Sequence, residues 1–190
     1  MKPENHIAFK EWAVIIHAIA QGKQNIILRK GGIHENMGYF QVEHDEFFLF
    51  PTYEHQNETD LKSSIRANLL NLKNPEKEIL IEYYVQVKKV FRLKDENKLE
   101  AISNFHVWSH EAIRKRFFYG NKQGLYLIVV QAFRLTNPAR LANLSKYAGC
   151  KSWVDFEQPI ATSSTIPIVS DVEIQDFIAC LEDRLKEPIH

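Results

Sequence analysis

Apolar residues recur at helical spacing between positions 7 and 21. Phe9, Trp12, Ala13, Ile16, Ile19 and Ala20 fall on one side, Lys10, His17 and Gln21 on the other, and Gly22 stands where a helix would end. The pattern predicts a helix over 7–21, well buried because apolar residues cover most of its circumference. A strand is expected over 24–29, broken by Gly31-Gly32, and a second over 46–50, Glu46-Phe47-Phe48-Leu49-Phe50, which Pro51 should stop. A helix follows from about 60 to 72, with Ile65, Leu69 and Leu72 on one face, Thr59 as its cap and Asn74-Pro75 as its end.

Two long strands come next, Ile81 to Leu93 and Leu125 to Leu135, closing in Phe91-Arg92-Leu93 and Phe133-Arg134-Leu135. Each is followed by a short helical segment, Leu99 to Ser103 or Leu141 to Ser145, and then by a tryptophan, Trp108 or Trp153. Two copies are too few for a solenoid. The pattern reads either as a pair of equivalent strands in one sheet or as a chance likeness of two amphipathic strands. Between them, Ser109 opens a helix through about Tyr119. Ser170-Asp171-Val172-Glu173 spells a capping box, and Ile174, Phe177, Ile178, Leu181 and Leu185 form one apolar stripe beyond it. These elements predict a single α+β domain: a core over 1–157, a loop or linker over 158–170 rich in Thr, Ser and Pro, and a C-terminal amphipathic helix over 171–190, docked on the core or on a second subunit.

Composition narrows this picture. A chain of 190 residues, 45% hydrophobic, holds enough apolar material for a core without disulfides or a structural metal. Lys plus Arg and Asp plus Glu both number 24, so an anionic partner must meet a local basic patch rather than the net charge. Cys150 and Cys180 lie far apart without a CxxC spacing, which excludes a zinc-thiolate site on ligand count. The apolar run Trp12 to Ala20 is too short to cross a bilayer, and residues 1–9 lack a signal-peptide core. The expectation is a cytoplasmic protein with no membrane partner.

Three constellations could carry chemistry. In Arg29-Lys30-Gly31-Gly32-Ile33-His34-Glu35 a strand ends in two cations and enters a diglycine turn, which suits an anion such as phosphate; a solvated hairpin turn is the plain alternative. No Gly-Lys-Ser/Thr follows, so it is not a Walker loop. The second is His44-Asp45-Glu46, the apolar strand, then Pro51-Thr52-Tyr53-Glu54-His55-Gln56. His44 and His55, with Glu35 or a neighbouring carboxylate, are the catalytic candidates if the chain folds back on itself. No cofactor is implied. A divalent metal is the one addition these residues would allow, and no HxH or HExxH spacing supports it. The third is Arg114-Lys115-Arg116-Phe117-Phe118-Tyr119, where cations with interleaved aromatics suit a nucleic-acid strand, or else a core-facing helix with a solvated basic face. Gln86-Val87-Lys88 is a permissible variant of a restriction-type nuclease pair, but the preceding strand shows no clear partner acid. Gly-x-Ser-x-Gly is absent.

Ala8-Phe9-Lys10-Glu11-Trp12, Leu28-Arg29-Lys30-Gly31-Gly32-Ile33, Phe50-Pro51-Thr52-Tyr53-Glu54-His55-Gln56 and Gly149-Cys150-Lys151-Ser152-Trp153-Val154 together resemble a bacterial family, domain of unknown function 1802, common in cyanobacteria. The likeness covers nearly the whole chain. It implies no particular reaction, and it implies association with restriction–modification components. A fainter resemblance, from Ile19-Ala20-Gln21-Gly22-Lys23 through the strand closing at Arg29, is to the ASCH and EVE domains. It implies a mixed, partly barrel-like (PUA-like) sheet flanked by helices, and recognition of RNA or modified bases. ASCH sequences usually carry Lys-Thr where this chain has Lys23-Gln24, which puts that family's hydrolase chemistry in doubt here.

The expected function is nucleic-acid binding, of a modified or flipped base, linked to restriction or defence. Arg29, Lys30 and His34 would hold the ligand with Tyr53, His55 and Trp108 lining a pocket, and Arg114, Lys115 and Arg116 would contact the strand. The partners are then DNA or RNA. Two alternatives stand beside it: a hydrolase or nuclease using His44, His55 and a carboxylate, and a non-catalytic subunit that binds a protein partner or a second copy through the C-terminal helix.

Overall fold

The computed structural model describes residues 1–30, 42–70, 72, 75, 77–121, 123–149 and 151–186. The chain runs β1 (Glu4–Trp12), α1 (Ala13–Ala20), β2 (Ile26–Arg29), β3 (Glu46–Thr52), α2 (Ser63–Leu70), β4 (Glu78–Leu93), α3 (Lys98–Ala101), α4 (His110–Phe118), β5 (Leu125–Ala142), β6 (Trp153–Ala161), β7 (Thr165–Pro167) and α5 (Asp171–Leu185). One sheet takes all seven strands in the order β2-β5-β4-β3-β1-β6, with β7 also on β5. β1 and β3 are parallel and the other pairs antiparallel, so the expected mixed α+β sheet is present.

The run Phe47-Phe48-Leu49-Phe50 shows how the sheet is buried. Successive strand residues point to opposite faces. Phe47 and Leu49 join a large core with α1, α4 and α5, while Phe48 and Phe50 join a second core with Ile81, Tyr84, Leu135, Val154 and Phe156. The buried members of that second core come from strands, apart from Tyr147 of the β5–β6 connection. The sheet therefore curls around its own apolar face. Register shifts within β4, between Ile81 and Tyr83 and between Val87 and Lys89, supply the local bends such curling needs.

The first half of the helix expected over 7–21 is strand. Up to Trp12 the chain pairs with β3 on one side and β6 on the other, and residues 8–11 are all buried, so no alternation marks the strand. The helix proper starts at Ala13 and closes on Gly22 (φ 67°), with Gly22 and Lys23 N–H groups donating to the carbonyls of Ile19 and Ala18. β3 continues through Pro51 because its ladder with β4 covers only Glu46 to Phe48; at Pro51 the missing N–H leaves no bond unmade on that side. The two Phe-Arg-Leu trios are not equivalent positions: Phe91 faces Leu127, whereas Phe133 faces Tyr84, and Leu141-Ala142 are strand rather than helix.

The segment expected as a loop, 158–170, contains the end of β6 and all of β7. Beyond it Ser170 and Glu173 form the expected capping box. Ile174, Ile178 and Leu181 are buried in the main core and Phe177 meets Phe105 edge-on at 5.1 Å, so α5 docks on its own chain. Among the described residues no helix is long and apolar enough to cross a membrane.

His106, 5% exposed beside this core, has no hydrogen-bond partner for either ring nitrogen among the described residues. Burial, then the charge of Lys62, pushes its pKa down to about 4. The unfolded chain, near 6.5, binds this proton more readily. His106 therefore contributes stability that is fully present above about pH 6.5 and is lost as pH falls through about 4, on the order of 3 kcal/mol. Urea unfolding at pH 7 and pH 4 should show a smaller acid loss in His106→Phe than in the wild type; equal losses would rule out this imidazole as the group responsible.

Candidate functional site

Because β1 and β3 run parallel, their C-terminal ends lie side by side, with Glu11 opposite Pro51 and Trp12 opposite Thr52. Against these ends come the end of β2, the β5–β6 connection and one side chain of α4. Together they enclose a cleft of about 610 Å³ lined by Glu11, Trp12, Arg29, Tyr53, Arg116 and Tyr147, among others.

Arg29 holds the cleft closed on one side. Its guanidinium donates to the carbonyl of Lys10, lies 3.3 Å from the Glu11 carboxylate and covers the Phe9 ring at 4.3 Å. Three strands separate β2 from β1 in the sheet, so these contacts bridge one edge of the curled sheet to the strand next to its other edge. The Arg29 Nε is buried without a hydrogen-bond partner among the described residues. Lys10, 9% exposed, donates its ammonium to the carbonyls of Tyr147 and, at 2.9 Å, Gly149, and so ties the β5–β6 connection to β1. Lys30 donates to the carbonyls of Phe117 (2.6 Å) and Gly124 (3.0 Å), and burial lowers its pKa.

The fourth cation is differently placed. The Arg116 guanidinium stacks over Trp108 at 3.6 Å, and Trp108 in turn packs on Trp12 with ring centroids 4.6 Å apart. Burial lowers the Arg116 pKa, the charges of Glu11 and Asp60 oppose that, and Arg29 adds to it. No hydrogen bond or ion pair joins the Arg116 guanidinium to a described residue, although it lines the cleft. Among the described lining residues, Lys10, Arg29, Lys30, Arg116 and Lys151 are five cations against two acids, Glu11 and Glu54. These residues give the cleft a formal +3 in a chain of net charge +0.

The Pro51 to Gln56 motif largely builds this wall. The Thr52 hydroxyl donates to the Glu11 carbonyl (3.1 Å), Tyr53 is half-buried on the cleft, and Gln56 accepts from the Val14 N–H (3.1 Å), capping the start of α1. His55 is exposed at the rim in left-handed backbone (φ 60°), a conformation histidine visits more often than most residues.

Of the residues singled out in the sequence, Arg29, Lys30, Tyr53, His55 and Arg116 meet in this cleft. Trp108 lies behind it, 1% exposed beneath Arg116. Arg114 and Lys115 are on the exposed side of α4, Arg114 paired with Glu96 at 2.5 Å. His34, Glu35 and the Gly31-Gly32 turn lie outside the described residues. His44 packs its ring on Trp153 (4.9 Å) at the opposite end of β3 from His55; seven extended residues, roughly 20 Å, separate the two ends. Among the described residues no group of three His, Cys, Asp or Glu could hold a metal ion.

Trp12, Glu11, Tyr147 and Lys151 are cleft residues the sequence reading did not assign. Two of the motifs that carry the family resemblance contain Glu11, Trp12 and Lys151, a signal that they matter but not of where they meet. The acid missing from the Gln86-Val87-Lys88 reading is Glu46, which pairs directly with Gln86. Its carboxylate already accepts from the Lys2 N–H, Tyr84 and Gln86 at 2.8–2.9 Å. Desolvation opposes ionisation there, but these donors outweigh it and hold the pKa at about 2.

The family model described as domain of unknown function (DUF1802) matches residues 8–179, and the chain belongs to that family. No curated protein matches it. Among solved structures it is similar to the crystal structure of ASCH from Zymomonas mobilis, at 12% identity and a TM-score of 0.44, covering 91% of this chain and 93% of that one. A mutant form of the same protein gives 11% identity and a TM-score of 0.43, covering 94% and 98%.

Removing the Arg29 guanidinium would leave Glu11, 5% exposed, without its countercharge. Because Arg29 keeps some solvent contact, Arg29→Ala is expected to destabilise the fold by about 2–4 kcal/mol in urea unfolding, short of the loss for a fully buried pair. Arg29→Met combined with Glu11→Gln should recover part of that loss. A double variant as unstable as the sum of its singles would show that the pair is not coupled.

Proposed function

We propose that this member of the family binds nucleic acid through the cleft, taking one nucleotide into it. The observation that carries the reading is Arg116: a guanidinium positioned on two tryptophans, facing a positively charged cavity, with no carboxylate or carbonyl partner among the described residues. A phosphate oxygen is the partner its planar fork of donors suits best. Arg29, Lys10 and Lys30 add to the same field while bonded largely to backbone carbonyls.

The volume is that of a small-ligand pocket. Trp12 and Tyr53 supply aromatic surface for a base, plain or modified, turned out of its stack, and His55 stands at the rim with a ring that can donate or accept. A role of this binding in restriction or defence rests on the family resemblance alone.

Fluorescence anisotropy with single- and double-stranded DNA and RNA at about 50 mM salt tests the reading, since phosphate contacts are strongest there. Binding should weaken steeply with added salt. Arg116→Gln, which keeps a stem on the tryptophan, should lose about tenfold or more in affinity and lower the salt slope by about one. No binding to any probe at low salt would overturn the proposal.

A further inference from the structure

The tip of α4 carries an aromatic ring that packing does not explain. Phe117 is 1% exposed in the core, and Phe118 lies against it at 5.1 Å with the Arg114 guanidinium over the Phe118 ring at 5.1 Å. Tyr119, the next residue, is 66% exposed. It sits three residues past Arg116, at the C-cap of α4, where the backbone turns extended (ψ 132°). The ammonium of Lys115, also exposed, has no hydrogen bond or ion pair to a described residue.

This tip is firmly held. The Tyr119 N–H donates to the Arg116 carbonyl at 3.2 Å, and Lys30 bonds both the Phe117 and Gly124 carbonyls, pinning the tip to the end of β2. Gly124, at φ 127°, lets the returning chain press on the end of β4; a Cβ there would stand 2.7 Å from the Leu93 carbonyl oxygen. A large exposed ring on a pinned backbone, beside cations and three residues past Arg116, is the arrangement of a stacking surface.

Building on the reading above, we propose that Tyr119 is a stacking platform for the base next to the one in the cleft, so that the ligand is a single-stranded stretch of at least two nucleotides. The linking phosphates follow Arg116 and Lys115. The strand must be single because in a duplex the neighbouring bases cover the faces that an aromatic ring would need.

Binding of a 5′-mononucleotide, a single-stranded trinucleotide and a duplex to the wild type, Tyr119→Ala, Tyr119→Phe and Arg116→Gln tests this. The wild type should prefer the trinucleotide to the duplex. Tyr119→Ala should weaken trinucleotide binding by about five- to a hundredfold, leave the mononucleotide unchanged, and be rescued by Tyr119→Phe. If Tyr119→Ala binds the trinucleotide like the wild type while Arg116→Gln does not, the platform is overturned and nucleic-acid binding stands. Equal losses on both ligands would also overturn it, as the mark of a structural role. If the wild type binds none of the three, both fall together.

Discussion

A guanidinium from β2 reaches the Lys10 carbonyl and the Glu11 carboxylate on β1, although three strands lie between them in the sheet. Hydrogen-bonded ladders join neighbouring strands but say little about how far the ends of a sheet approach each other. Here β2, at one edge, meets β1, the strand next to the other edge, through a side chain. Arg29 is suited to it, because one planar group satisfies a carbonyl, a carboxylate and an aromatic face at once. Curvature, the buried acid and the cleft mouth all depend on that bridge.

The same chemistry explains how a neutral protein maintains a positive cavity. Lys10 and Lys30 donate to main-chain carbonyls of the described residues. A carbonyl satisfies an ammonium's donors without cancelling its charge. Burial still penalises such a group, as the lowered pKa of Lys30 reflects. Each lysine thus serves the fold, one tying the β5–β6 connection to β1 and the other holding the tip of α4, while its charge remains at the cleft. Glu46 is the reverse case: an acid whose oxygens are taken up by donors from β4 and the N-terminal segment, strongly ionised yet committed to holding strands together.

Local chemistry was legible wherever it acts locally. The Ser109 and Ser170 caps, the Gly22 stop and the apolar stripe of α5 need only neighbours within a turn or two, and they stand where the sequence reading put them. The convergence of Arg29, Tyr53, His55 and Arg116 could not be read, because those residues come from β2, the loop after β3 and α4. Nor could the separation of His44 from His55, which depends on β3 remaining straight between them.

By itself, then, the sequence determined a single mixed α+β domain, the caps of α4 and α5, the Gly22 stop of α1 and a set of motifs dense in cations and aromatics. Those follow from side-chain period and capping chemistry, which act over a few residues. Tertiary structure decided that residues 4–12 are strand, because two-sided pairing overrode a helical spacing of apolar residues. It also decided which cations are bound to the backbone and that the Arg116 guanidinium faces the cavity without a partner among the described residues. A lysine and an arginine look alike along the chain, and only the fold determines whether a carbonyl lies within reach of each.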